Sequence, residues 1–139
     1  MIVLDTNVIS EIAKPASNSR VLAWAAAQSE DRLYLCDVVL MEQAYGAERI
    51  WLRDKSPRYR EVLDRLLAVY RGRILAFERH TAVETGRLRA RRESIGRPIS
   101  VQDAMIAAIC LSHGAALATR NIKDFEGLDL KLVNPSEDG

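Results

Sequence analysis

An α/β fold, with a parallel sheet covered by helices on both faces, is predicted by three features of this 139-residue chain. Short apolar runs alternate with longer stretches of helical periodicity, as βα units require. Caps and breakers (Asn7, Pro15, Pro57, Gly72, Gly114) fall between those runs. No internal repeat, low-complexity segment or interdomain linker interrupts them, so residues 1–139 are expected to form one domain, with 134–139 as a flexible tail.

The elements follow in order. Ile2–Leu4 reads as a short buried strand, and Asn7 can cap a helix to about Lys14, which Pro15 ends. Residues 17–19 punctuate the chain before an Ala-rich helix over 20–28. Leu33–Cys36 is a second strand. Asp37 looks like the cap of a long helix to about Arg53. Ser56-Pro57 breaks that helix and starts another to about Tyr70, where Val62, Leu63, Leu66, Leu67 and Tyr70 keep helical spacing. Gly72 stops it, and residues 74–77 form the third strand. Residues 81–94 make a helix with a strongly basic face, closed by Gly96-Arg97-Pro98. Ser100 opens the next helix; Ala104–Leu111 is apolar on every side, the mark of a buried helix. Gly114 ends it. Residues 115–118 are a fourth strand, 121–125 a helical turn and 130–133 a fifth strand. Trp24, Trp51, Tyr59 and Tyr70 read as core residues of the first-half helices, with a groove for a partner peptide as the alternative, because aromatics anchor interfaces.

Composition limits the function classes. Twenty Lys and Arg against 19 Asp and Glu leave a net charge of +1, so any basic surface must be local. No apolar stretch reaches the roughly 20 residues of a membrane span. No basic region precedes a long apolar run at the N-terminus, so no signal peptide is visible and a cytoplasmic location is expected. Cys36 and Cys110 lie in apolar surroundings without zinc-like spacing and read as buried free thiols. His80 and His113 are isolated.

The chemistry concentrates in four acids far apart along the chain. Asp5 closes the first strand, Glu42 follows Val38-Val39-Leu40-Met41, Asp103 follows Ser100-Val101-Gln102, and Asp124 follows Asn121-Ile122-Lys123. Each has a plain structural reading. Ser100 to Asp103 and Asn121 to Asp124 both resemble capping boxes, and acids in a first turn suit the helix dipole. In an open α/β sheet, however, the functional crevice lies at the carboxyl ends of the strands. Carboxylates gathered there, about 4 Å apart, would repel by roughly 4 kcal/mol at an effective dielectric of about 20. A hard cation removes that cost, and oxygen-only ligands favour Mg²⁺ or Mn²⁺. Such a site leans toward phosphodiester or phosphoryl chemistry. Arg87, Arg89, Arg91 and Arg92 read chiefly as a solvated helix face, whereas Arg97, Arg120 and Lys123 flank the proposed site and could meet phosphates.

Met1-Ile2-Val3-Leu4-Asp5-Thr6-Asn7-Val8, Leu40-Met41-Glu42 with Tyr45-Gly46-Ala47, Gly96-Arg97-Pro98-Ile99 with Asp103, and Ala118-Thr119-Arg120-Asn121 with Asp124-Phe125 together form an ordered set. The set resembles the PIN-domain family, specifically the VapC/FitB-like toxins of bacterial toxin–antitoxin pairs. The resemblance covers essentially the whole chain. It implies a three-layer α/β/α sandwich around a parallel sheet of about five strands, and a Mg²⁺- or Mn²⁺-dependent endoribonuclease that leaves a 3′-hydroxyl and a 5′-phosphate. Asp5, Glu42 and Asp103 match the family's three metal-holding acids. Many relatives carry a fourth acid where this chain has Asn121, so either Asn121 or Asp124 completes the site. Thr6 and Thr119 would support the acids. The resemblance also implies a cognate antitoxin, a homodimer, and operator DNA reached through the antitoxin.

Two other classes compete. A small Mg-dependent phosphatase or phosphate-acceptor domain would want a second acid beside Asp5, where Asn7 stands. A FitB-like chain could instead act mainly through a DNA-binding antitoxin, with little nuclease activity.

Overall fold

The computed structural model describes residues 1–13 and 18–138. The expected end of the first helix at Lys14 and Pro15, part of the punctuation at 17–19, and Gly139 lie outside the described residues. A five-stranded, wholly parallel sheet has the order β3-β2-β1-β4-β5. The strands are β1 (Ile2–Leu4), β2 (Leu33–Cys36), β3 (Ile74–Leu75), β4 (Ala116–Ala118) and β5 (Leu132–Val133). Helices α1 (Thr6–Ala13), α2 (Ser19–Ala27), α3 (Asp37–Asp54) and α4 (Arg58–Val69) fall between β1 and β3. After β3 come α5 (Arg79–Ser94), α6 (Val101–His113), α7 (Ile122–Phe125) and α8 (Pro135–Asp138). Because parallel crossovers are right-handed, α1–α4 cover one face and α5–α7 the other. The result is the three-layer α/β/α sandwich that the alternation of runs predicts.

The core follows from the continuous apolar strands. All of β1 and β4 is buried, and Leu35 and Cys36 of β2 have no exposed surface. On one face α6 packs through Ile106, Ala107, Ile109 and Cys110, joined by Phe125. Gly114 ends α6 in the left-handed conformation (φ 62°), which lets Ala115 donate back to the Cys110 carbonyl at 2.9 Å and turns the chain into β4. Cys36 and Cys110 are buried free thiols. Among the described residues no helix is long and apolar enough to cross a membrane.

Several local expectations give way to tertiary contacts. Asp37 is the first residue of α3 rather than its cap, and its carboxylate accepts from the Phe77 amide just beyond β3 (3.1 Å). Helix α5 starts at Arg79, two residues before its expected start, under a reciprocal capping box between Glu78 and Thr81. The strands β3, β4 and β5 are shorter than the apolar runs that signal them; β3 stops at Leu75, whose partner Cys36 is the last residue of β2 before α3 begins. Residues 135–138, read as polar tail, form α8, which packs on α2 with Pro135 buried. Of the four aromatic residues read as core, Trp24 is buried and Tyr70 packs against the core, while Tyr59 is 43% exposed.

Candidate functional site

The strand order reverses between β1 and β4, and it is there that open α/β sheets form their crevice. Leu4 pairs with Ala118, so the next residues, Asp5 and Thr119, leave the sheet side by side. The Asp5 amide still donates to the Ala118 carbonyl (2.9 Å). The Asp5 side chain is only 5% exposed. Its Oδ2 accepts from Thr119 Oγ1 (2.8 Å) and Asn7 Nδ2 (3.2 Å), and its Oδ1 from the Thr6 amide (2.8 Å). Three of a carboxylate's about four acceptor positions are thereby used, leaving one free.

The other acids arrive on helices whose first turns stand at the same edge. Helix α3 follows β2 directly, which brings Glu42 over the crevice; Thr6 Oγ1 donates to its Oε1 at 3.0 Å. Helix α6 runs back toward β4, so its first turn, with Asp103, lies at the carboxyl edge. Ser100 caps that turn by accepting from the Asp103 amide (3.1 Å). Asp124 lies in α7, just after β4. Asn121 starts α7 without a side-chain capping bond, contrary to the expected capping box; its amide donates to Thr119 Oγ1 instead (3.0 Å).

These acids feel one another. Burial pushes the Asp5 carboxyl above its ordinary value, and the charge of Asp124 adds to that; Thr119, the Thr6 amide and Asn7 pull the other way. Glu42 is raised by burial, then by Asp5 and Asp103, against the bond from Thr6. Asp103 is raised by burial, then by Asp5 and Asp124, against a bond with Ser100. A carboxyl with a raised folded-state pKa favours folding below its unfolded value and loses that contribution as the pH climbs through the folded one. The metal-free protein is therefore expected to melt at a lower temperature as the pH rises above the ordinary carboxylate range and through the raised values of Asp5, Glu42 and Asp103. Asp103→Asn should flatten that slope; melting curves with equal slopes in both proteins would contradict the coupling.

The flanking cations are placed less simply. Arg120 Nη1 pairs with Oε2 of buried Glu11 (3.4 Å), and its amide donates to Asn7 Oδ1 (3.1 Å). Arg97 Nη2 lies 3.7 Å from Glu126 Oε2, with both groups about half exposed. Lys123 is exposed and, with Asn121 and Asp124, lines a groove of about 480 Å³. Arg92, read as part of a solvated face, is instead 5% exposed. Asn7, expected to cap the first helix, is instead the second residue of α1. In the fold it ties Asp5, Thr119 and Arg120 together, and its one sequence signal is a short polar residue two places after the strand-end acid.

Among the described residues no Lys or Arg forms an ion pair with Asp5, Glu42, Asp103 or Asp124. Nor do any three His, Cys, Asp or Glu there close by themselves around one point. The donor set is all oxygen, mutually repelling and partly buried. That suits a hydrated cation held by one or two carboxylates, as Mg²⁺ commonly is, rather than a closed protein cage.

A profile of the PIN domain matches residues 2–129. The chain is 36% identical over 138 residues to the plasmid stability protein StbB of Pseudomonas syringae pv. tomato, spanning 99% of each chain. It is 35% identical over 138 residues to the VapC ribonuclease Y4jK of Sinorhizobium fredii, again spanning 99% of each. Among solved structures it resembles FitAB bound to an IR36 DNA fragment, with a TM-score of 0.89 and 31% identity over 99% of this chain and 96% of the other.

Proposed function

The chain belongs to the PIN-domain family, and we propose that it is a metal-dependent endoribonuclease, the toxin of a bacterial toxin–antitoxin pair. The observation that carries this reading is the meeting of Asp5, Glu42 and Asp103 at the β1/β4 switch point, each raised by burial and by a neighbouring carboxylate and without an ion-pair partner among the described residues. Such a group is costly unless a cation joins it.

Asp5 and Asp103 would hold the ion, with Glu42 beside them and Asn121 or Asp124 completing the site. When bound, a divalent cation supplies Lewis-acid chemistry, neutralising phosphate charge and easing the deprotonation of water. Thr6, Thr119 and Asn7 hold the carboxylates of Asp5 and Glu42 in fixed orientations. Thr6 engages Oε1 of Glu42, which leaves Oε2 to take a proton from the attacking water; the raised pKa suits a general base. Arg97, Arg120 and Lys123 would contact the RNA backbone. For Arg120, that requires sharing the guanidinium with Glu11.

The likeness to FitAB supports an antitoxin partner, with operator DNA reached through it. It also leaves room for a chain that acts mainly within that DNA-bound complex. The nuclease reading stands first because Asp5, Glu42 and Asp103 are all present and mutually coupled.

The purified protein should cut single-stranded RNA in Mg²⁺ or Mn²⁺ and leave 5′-phosphate ends. Excess EDTA should stop cleavage, and either ion should restore it. Cleavage that survives chelation would overturn the metal dependence. Intact RNA with both ions would overturn the nuclease reading.

A further inference from the structure

Beyond Glu42 the crevice continues into a groove of about 270 Å³ between α1, α3 and α4. Thr6 and Glu42 belong to its lining, with Ser10, Gln43, Gly46, Arg49 and Tyr59. Ala47 and Ile50 give the groove an apolar floor, on which two hydroxyls, an amide, a guanidinium and a phenol ring supply polar and aromatic contacts. At the rim, the Arg49 guanidinium lies 5.5 Å from the centre of the Tyr45 ring, and that of Arg58 lies 5.6 Å from the centre of the Tyr59 ring. Both rings are solvent-exposed. Exposed rings beside guanidinium groups are how proteins hold unpaired nucleotides, the ring stacking on the base and the cation meeting the backbone.

Gly46 supports the same conclusion. It lies inside α3, where glycine is a poor helix former, and its φ is not positive. A Cβ added there would meet nothing within 4 Å. Neither the backbone nor packing therefore requires glycine, and a long side chain placed there would project into open space along the groove wall.

We propose that this groove is a nucleotide subsite, taking the base next to the scissile phosphate on Tyr59 and Gln43 while Arg49 holds a backbone phosphate. The inference rests on the nuclease reading and adds to it the side chains that receive the nucleotide beside the scissile phosphate; a base already unpaired enters without the cost of unstacking.

The test compares cleavage of a single-stranded RNA octamer with hydrolysis of bis(p-nitrophenyl) phosphate, a diester with no base. The proteins are the unaltered chain, Gly46→Met, Tyr59→Ala and a matched control, Gly86→Met. Gly86 is also inside a helix, with nothing within 4 Å of an added Cβ, and it does not line the groove. Gly46→Met and Tyr59→Ala should each lower the ratio of RNA to diester turnover about tenfold, mainly through KM. Gly86→Met should leave the ratio as it is. Exposed Tyr59 carries the test if melting shows that Gly46→Met does not fold.

An unaltered chain that cuts RNA, with an unchanged ratio in the folded groove variants, overturns the subsite and leaves the nuclease reading intact. An unaltered chain that turns over neither substrate overturns that reading and the subsite with it. Groove variants that cut RNA normally but lose inhibition by a co-expressed protein partner would assign the groove to a protein and overturn the proposal.

Discussion

Asp5→Ala is expected to lower RNA cleavage by roughly a thousandfold while the chain stays folded. Asp5 is the one acid locked from three sides, by Thr119, Asn7 and the Thr6 amide, and it lies where the strand order reverses. Its removal should also abolish Mn²⁺ uptake measured by calorimetry. Folding should survive because two effects oppose each other. The substitution strands donors that Asp5 satisfies, at a cost of about 1–3 kcal/mol for each buried one. It also relieves a buried charge whose carboxyl is already raised by desolvation. A melting temperature within about 5 °C of the unaltered protein is therefore expected. Cleavage retained within a few-fold, in protein of unchanged melting temperature, would show that Asp5 does not hold the ion.

Arg92→Leu is expected to be strongly destabilising, although it replaces one residue of a basic run on a helix. The Arg92 guanidinium donates from Nε to the Arg97 carbonyl (2.7 Å) and from Nη1 to the Glu126 carbonyl (3.1 Å). It thereby joins the loop before α6 to the loop after α7. Leucine fills a similar place without donors and leaves two partly buried carbonyls unpaired. Hydrogen bonds from a charged donor are worth about 1.5–3 kcal/mol each, so a loss of about 3 kcal/mol is expected. For a chain of this size that lowers the melting temperature by about 10 °C. Cleavage should also fall, since the two loops lead into Asp103 and out from Asp124. Arg92→Lys should recover only part of the stability, because an ammonium cannot span both carbonyls as a planar fork does. A melting temperature unmoved by the leucine would remove Arg92 from any positioning role.

The same residue marks a limit of reading from sequence. In the run Arg87, Arg89, Arg91, Arg92, charge alone describes a solvated face, and helical periodicity does not say which arginine turns inward. Burial of Arg92 depends on the two loops that supply its acceptors, one of them 34 residues away. Tyr59 errs in the opposite direction. Its place in an apolar-periodic segment suggests core, yet it stands near the start of α4 and lines the groove beside Glu42. Arg120 follows the pattern of a phosphate contact, and only the fold shows Glu11 of α1 within reach of it.

What the sequence by itself determined is the alternation of strands and helices and the positions of Asp5, Glu42, Asp103 and Asp124 at strand ends and early helix turns. Those features are local: apolar periodicity, caps and breakers act within a few residues of one another. The tertiary structure alone decided that β1 lies between β2 and β4, and therefore that Asp5 meets Thr119 across 114 positions of sequence. It also decided that Asn7 belongs to the site and that residues 135–138 pack on α2. Strand order and side-chain burial are set by how all the elements close over one core at once, and no local window of sequence contains that condition.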